Sequence, residues 1–240
     1  MPRHHLAFAL DFPSLQAAQH HLLLLAPVVG IAKIGLELFT REGPSAVRSV
    51  RASGIDVFLD LKLHDIPETV ERAVSSAAEL GARFLTIHCS GGREMLLRAA
   101  RRCNEHHPDL TLLGVTVLTS LDADDLTSIG VSSPPTDQVL RLARLGWDAG
   151  LRAFVCSPRE VAALRAAFPS ATLVTPGIRP AGAQTHDQKR ATTPADAVRA
   201  GADILVVGRP IRDAADPVAC AASIVQEIDA ALAGLRGNQS

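Results

Sequence analysis

The chain alternates between two kinds of segment along its whole length, and this alternation limits the folds open to it. A short, strongly apolar segment is followed by an amphipathic segment rich in alanine and arginine, and the pair occurs eight times in 240 residues. Glycine ends several of the amphipathic segments just before the next apolar one, as at Gly81, Gly150 and Gly201, which is typical of a helix C-terminus. Near-continuous apolar strands separated by helices predict a parallel sheet with helices covering both faces.

The predicted elements form one α/β domain. Strands are predicted at 6–12, 31–39, 56–63, 84–89, 111–118, 153–157, 172–178 and 204–211. Helices are predicted at 14–25, 43–53, 67–80, 92–106, 136–149, 158–167, 193–200 and 217–234, with a short helix inside the long loop at 119–135. We predict a (β/α)8 TIM barrel over 1–235 and a disordered tail at 236–240. An open doubly wound sheet is the alternative, although no GxGxxG follows the first strand.

The composition excludes several classes of partner. The formal net charge is −1, aromatic residues make up 3% of the chain and tyrosine is absent, so neither a nucleic-acid surface nor an anionic membrane contact is predicted. The four cysteines show no spacing typical of a metal site, and the N-terminus lacks the pattern of a signal peptide. We therefore expect a cytoplasmic protein with no metal, in which local groups hold any anionic ligand.

Three charged residues stand where the third predicted strand becomes a loop, in the sequence DLKLHDIP. Asp60 and Lys62 are two residues apart, so on a strand they point to the same face. Charged side chains are rarely buried unless they are paired, and Asp65 and a second strand lysine, Lys33, add to the set. A lone Asp-x-Lys would be an ordinary ion pair, whereas this larger set predicts a catalytic array in which a held ammonium group donates a proton or stabilises negative charge.

Other polar residues also follow the strands, and barrel enzymes place their active sites at this end. Asp11 stands at the end of the first predicted strand and His88 at the end of the fourth, and Thr119 follows the fifth. The loops after the last two strands contain PGIR and Gly208-Arg209. Glycine allows backbone N–H groups close to an anion and arginine offers paired donors, so these loops predict a phosphate site, with a mobile loop at 180–191 that could close over the ligand.

Six motifs, in this order, carry a resemblance to a known family: ALDFP, KIGLELF, DLKLHDIPETV, VLTS, TPGIRP and VGRPI. Together they span nearly the whole chain and resemble the orotidine 5′-phosphate decarboxylases, in particular the short bacterial, monofunctional form. The resemblance implies a (β/α)8 barrel that converts orotidine 5′-monophosphate to UMP and CO2, the last step of de novo pyrimidine biosynthesis, without metal or organic cofactor.

The resemblance also implies roles for individual residues. Asp11 and Lys33 would bind the ribose hydroxyls, Asp60 would face the substrate carboxylate, and Lys62 would protonate C6 of the pyrimidine. The family's homodimer is implied as well, with Asp65 completing the charged set and Thr69 reaching the ribose across the subunit interface. The remaining contacts would come from Thr119 to the pyrimidine and from Arg179, Gln188, Gly208 and Arg209 to the phosphate.

Two alternative functions remain at this point. A Mg²⁺-dependent decarboxylase of the 3-keto-gulonate 6-phosphate type shares the DxKxxD pattern, but that group carries Glu where Lys33 stands here, and a lysine there would repel the cation. A barrel that binds phosphate without catalysis is the other alternative, and the loss of Lys62 or Arg209 would have indicated it. Both residues are present.

Overall fold

The computed structural model describes residues 2–180 and 192–237. In these residues eight parallel strands pair in chain order, and β8 pairs with β1, so the sheet is a closed barrel. The predicted TIM barrel is therefore confirmed, and the open sheet is excluded. The strands are β1 Leu6–Ala9, β2 Ile31–Ile34, β3 Asp56–Leu63, β4 Phe84–His88, β5 Thr111–Val115, β6 Ala153–Val155, β7 Thr172–Pro176 and β8 Ile204–Val207.

Helices cover the barrel from outside. They are α1 Leu15–Leu25, α2 Leu36–Glu42, α3 Pro44–Ala52, α4 Pro67–Glu79, α5 Arg93–His106, α6 Ala123–Ser128, α7 Pro135–Asp148, α8 Val161–Ala167, α9 Pro194–Ala200, α10 Arg209–Arg212 and α11 Pro217–Gly237. The short helix expected inside the 119–135 loop is α6, and Asp122 caps it by accepting hydrogen bonds from the N–H groups of Asp124 and Asp125.

All strands except β3 end before their predicted bounds, and in β2 and β8 the reason is that a helix begins inside the predicted range. β2 ends at Ile34, and α2 follows after Gly35; β8 ends at Val207, and α10 follows after Gly208. The apolar residues beyond each strand pack as parts of a helix, so hydrophobicity alone extended both predictions too far. At the other end of the chain, α11 continues to Gly237, two residues into the predicted tail, and 238–240 lie outside the described residues.

The core has two layers because alternate strand residues face opposite sides of the barrel wall. Ala7 and Phe58 point inward with Leu113 and Val174 and fill the interior, whereas Phe8 and Leu59 belong to the larger layer between strands and helices. The inner layer holds several small residues, which leaves room above it for a cavity. The fold therefore provides a packed base with an open end at the C-termini of the strands.

One helix in the described part of the chain, Pro217–Arg236 within α11, is long and apolar enough by length and composition to cross a membrane. Four of its apolar residues are buried in the outer core, namely Ala221, Ile224, Ile228 and Ala231. The helix packs against α9 and α10. It is therefore one of the helices that cover the barrel, and these four residues belong to the core.

Candidate active site

A cavity of about 320 Å³ opens at the C-terminal ends of the strands. Its wall combines apolar side chains with polar residues that lie at the C-terminal ends of the strands and just beyond them. The predicted site residues that line it are Asp11, Lys33, Asp60, Lys62, Thr119, Arg179, Gly208 and Arg209. The fold thus brings together eight of the eleven residues proposed from the sequence, drawn from six of the eight strand ends.

Four charges alternate along the wall formed by the first three strands. Lys33 Nζ lies 3.5 Å from Asp11 Oδ1 and 3.6 Å from Asp60 Oδ2. Lys62 Nζ donates a hydrogen bond of 2.8 Å to Asp60 Oδ1. Since the Lys33 and Asp60 side chains are only 12% and 16% exposed, water screens this part of the array weakly. The arrangement holds the Lys62 ammonium group in one direction at the edge of the cavity.

Asp60 is the carboxylate at the centre of this array. Burial alone would raise its pKa, but the positive charge of Lys33, the hydrogen bond and charge of Lys62 and the Thr86 hydroxyl outweigh that effect and lower the pKa below its usual 3.8. Asp60 is therefore ionised at neutral pH. It is a permanent negative charge in a partly dehydrated site.

The backbone around Lys62 departs from regular strand geometry. Leu59 pairs with Leu85 and Leu63 pairs with Ile87, so four steps along β3 match two along β4 and the register shifts between them. Within this irregularity Lys62 has φ of 49°, and it is the one non-glycine residue with positive φ among those described. Its N–H donates to Thr86 Oγ1 at 2.8 Å instead of to the strand ladder. A bulge of this kind redirects side chains next to an active site.

The loops after β7 and β8 form a second arc of the cavity. Arg179 follows β7 and is 8% exposed, and its N–H donates to the Thr192 carbonyl at 3.1 Å. Gly177 has φ of 80°, a conformation that favours glycine. Gly208 and Arg209 reach the cavity from the end of β8. This arc combines the guanidinium groups of two arginines with glycines that lack a side chain, and such a set suits a phosphate. Gln188 lies outside the described residues.

Asp65 and Thr69 are not among the described residues that line the cavity. Both side chains are exposed, at the end of the β3–α4 loop and in the first turn of α4. Asp65 Oδ1 accepts a hydrogen bond of 2.6 Å from the Ile66 N–H, and the Ile66 side chain is 66% exposed.

His88 ends β4, and its ring centroid lies 5.5 Å from that of His64. Burial lowers the pKa of His88, and the positive charge of Lys62 lowers it further, which outweighs the opposite effect of Asp60. His88 is therefore neutral at physiological pH.

Two groups of residues at this site were not predicted from the sequence. Apolar side chains such as Phe58, Val155 and Val206 line the cavity, and the inward alternation along each strand could have identified them. Thr86 was also missed. A polar residue inside the apolar strand next to β3 could have indicated it, but the contacts of Thr86 with Asp60 and Lys62 depend on the bulge in β3.

The closed parallel barrel and the charged cavity at the C-terminal ends of its strands define the class: this is a (β/α)8-barrel enzyme. The family model described as Orotidine 5′-phosphate decarboxylase / HUMPS family matches residues 4–224. The chain belongs to this family, which confirms the family predicted from the six motifs.

Relatives named orotidine 5′-phosphate decarboxylase are similar over nearly the whole chain. The protein of Anaeromyxobacter sp. (strain K) is 55% identical over 224 residues, covering 93% of this chain and 97% of its own. That of Pseudomonas syringae pv. tomato is 50% identical over 222 residues, covering 92% and 95%. The crystal structure of orotidine 5′-phosphate decarboxylase from Lactobacillus acidophilus is 35% identical with a TM-score of 0.83, covering 94% and 99%.

Proposed function

We propose that the protein decarboxylates orotidine 5′-monophosphate to UMP and CO2 in pyrimidine biosynthesis, as a cytoplasmic enzyme. The observation that carries this proposal is the alternating array Asp11–Lys33–Asp60–Lys62 in the same cavity as the two Gly/Arg loops. One arc suits a phosphate, and the other presents an oriented ammonium group beside an ionised carboxylate. Family membership and the names of the relatives support the same substrate.

The substrate fits the cavity in one orientation under this proposal. Its phosphate binds Arg179, Gly208 and Arg209, together with Gln188, at the ends of β7 and β8. Its ribose hydroxyls bind Asp11 and Lys33, at the ends of the adjacent strands β1 and β2, and Thr119 contacts the pyrimidine. The carboxylate on C6 then lies beside Asp60 and Lys62. The phosphate contributes binding energy at a distance from the reacting bond, and this energy can offset unfavourable contacts there.

The chemical step needs only one proton donor. The bond between C6 and the carboxylate breaks, CO2 leaves, and the electron pair stays on C6. The Lys62 ammonium group stabilises this developing charge and transfers a proton to C6, after which the neutral amine regains a proton from water. The charge of Asp60 disfavours the bound substrate carboxylate but also holds Lys62 in place. Both effects favour the state in which CO2 has left.

The reaction is proposed to need no metal ion. The Lys33 ammonium group stands 3.5 and 3.6 Å from the two carboxylates that would otherwise be the natural cation ligands at this wall. A divalent cation between Asp11 and Asp60 would meet a fixed positive charge at close range. This electrostatic argument disfavours the Mg²⁺-dependent alternative.

The active form is proposed to be a homodimer with shared sites. Asp65 and Thr69 are exposed next to the cavity mouth of their own chain, and Ile66 adds an exposed apolar side chain between them. A second copy packed on this surface would receive Asp65 and Thr69 in its cavity. Asp65 would then extend the charged array beyond Lys62.

The proposed activity is tested by following the ultraviolet absorbance of orotidine 5′-monophosphate with purified protein in excess EDTA, with UMP identified by chromatography. Rapid conversion supports the decarboxylase and excludes the metal-dependent alternative. If the substrate is stable both in EDTA and after addition of Mg²⁺, the proposed function is wrong.

The shared site is tested by subunit complementation. Lys62→Ala and Asp65→Ala homodimers are each expected to be inactive. A mixed dimer contains one site with both substitutions and one site with neither, so about half of the activity per dimer should return. Absence of any recovery in heterodimers verified by native mass spectrometry would show that Asp65 does not act across the interface.

A further inference from the structure

The Thr86 hydroxyl connects the two central residues of the charged array. It donates a hydrogen bond of 3.0 Å to Asp60 Oδ1 and accepts one of 2.8 Å from the Lys62 N–H. Thr86 is 1% exposed and is not among the described residues that line the cavity. Thr86 therefore does not contact a ligand in the cavity, and it can affect the chemistry only by positioning Asp60 and Lys62.

Both of these contacts occur where the β3–β4 ladder is interrupted. Thr86 lies between Leu85 and Ile87, the residues that pair with Leu59 and Leu63 on either side of the register shift. A buried backbone N–H must find an acceptor, and the Thr86 hydroxyl supplies it for Lys62. The left-handed conformation of Lys62 is unfavourable for a side-chain-bearing residue and persists only where its surroundings fix it.

Asp60 Oδ1 receives two hydrogen bonds, one from the Thr86 hydroxyl and one from Lys62 Nζ at 2.8 Å. The Thr86 bond fixes the carboxylate from the barrel wall, and the carboxylate in turn fixes the ammonium group. The same hydroxyl thus holds Lys62 at its backbone directly and at its side chain through Asp60. Removing the Thr86 hydroxyl would therefore weaken the positioning of both the backbone and the ammonium group of Lys62.

We infer that Thr86 is a positioning residue for the decarboxylation, which holds Lys62 in a strained backbone conformation and aims its ammonium group through Asp60. This inference rests on the proposed function for its kinetic test, but the contacts themselves can be tested without turnover. The role differs from that of the residues in the cavity because Thr86 contributes to the reacting geometry and little to substrate binding.

The experiment compares substitutions that separate the hydroxyl from the methyl group. Thr86→Val removes the hydroxyl and keeps the shape, and it is expected to lower kcat about 10- to 100-fold, because small misplacements of a catalytic group have effects of this size, with KM within about threefold. Thr86→Ser keeps the hydroxyl and should retain most of the activity. Thr86→Ala should resemble Thr86→Val.

Thr116→Val is the matched control. Thr116 is also a buried threonine, directly after β5, and within the described residues its hydroxyl has no hydrogen-bond partner. It is not among the described residues that line the cavity. The same chemical change there should leave kcat and KM unchanged.

A second readout does not depend on catalysis. In the NMR spectrum the Lys62 amide proton should exchange with solvent about tenfold faster in Thr86→Val than in the wild type, because its acceptor is gone. If the wild type does not convert orotidine 5′-monophosphate, the proposed function fails while this measurement still tests the contact.

Three results would overturn the inference. They are wild-type kcat in a folded Thr86→Val protein, an equal loss of kcat in Thr86→Ser and Thr86→Val, or unchanged exchange of the Lys62 amide. If Thr86→Val does not fold, the comparison of Thr86→Ser with Thr86→Ala decides, because these two also differ only by the hydroxyl.

Discussion

Substituting Lys62 with alanine is expected to remove decarboxylation while leaving phosphate-anchored binding largely intact. The distance between Lys62 and Asp60 gives the strength of the charge interaction that the substitution removes. Lys62 Nζ lies 2.8 Å from Asp60 Oδ1, and at an effective dielectric constant of about 20 two unit charges at that distance interact by about 6 kcal/mol. Because the Lys62 side chain is 32% exposed, solvent screening reduces this value. The pair is nevertheless among the stronger charge contacts of the site.

The loss of activity combines two effects. Removing a positioned general acid typically costs about 10²- to 10⁴-fold in rate, and removing one group that stabilises developing charge costs about 10²- to 10³-fold. We therefore expect kcat to fall by at least about 10⁴-fold. UMP should bind within about tenfold of wild-type affinity, because Arg179, Gly208 and Arg209 line the cavity from the segments after β7 and β8 and are unchanged.

Lys62→Arg separates the two effects. The guanidinium group keeps the positive charge but does not release a proton in proteins, so this variant should keep ligand affinity and still lose at least about 100-fold in kcat. Arg199→Ala is the control on the surface, where the Arg199 side chain is 60% exposed and forms a salt bridge with Asp196, three residues earlier on α9.

The assay is the steady-state absorbance change of orotidine 5′-monophosphate, with calorimetric titration of UMP for binding. Turnover of Lys62→Ala within about tenfold of the wild type would refute Lys62 as the proton donor. Full activity in Lys62→Arg would refute proton transfer from this side chain and leave only its charge.

Three further predictions concern phosphate binding, acid stability and packing. Arg209→Ala should raise KM for orotidine 5′-monophosphate about 10- to 100-fold by losing charge-assisted hydrogen bonds, and equal weakening for orotidine, which lacks the phosphate, would contradict this. The pKa of Asp60 is lowered on folding, so its ionisation stabilises the fold above pH 3.8, and this contribution disappears as the pH falls through the lower folded pKa. In urea unfolding, the free energy of unfolding of Asp60→Asn should therefore lack this part of the acid dependence. An unchanged dependence of that free energy on pH would refute the prediction. Gly114→Ala places a Cβ 2.8 Å from Cys89 Sγ and from Phe154 Cδ1, and it should lower the free energy of unfolding by about 1–3 kcal/mol, whereas Gly234→Ala, with nothing within 4 Å of the new Cβ, should raise it by up to about 1 kcal/mol.

Several features of the fold could be predicted from the sequence because they depend on local periodicity. Apolar strands such as Asp56–Leu63 and helices such as Pro67–Glu79 lie within one residue of their predicted bounds. Their order then favours a closed barrel, since strands buried on both faces need helices around them. Barrel geometry in turn places Asp60 and Lys62 at the end where loops form the cavity.

The ends of strands were harder to predict. Ile34 and Val207 end their strands, although apolar residues continue beyond both. Closure of the barrel limits how many residues of a strand have a neighbour to pair with. The residues after these strand ends form the helices α2 and α10. The pattern of apolar residues does not show where the strand ends and the helix begins.

The sequence by itself determined that Asp60 and Lys62 would meet, because they are near in the chain and both lie towards the C-terminal end of one buried strand. Only the tertiary structure decided how they are held. The contact of Thr86 with both residues joins positions at least 24 residues apart, and it exists because β3 and β4 pair with a shifted register. The register between neighbouring strands is a property of packing in the closed barrel, and no local pattern in the chain encodes it.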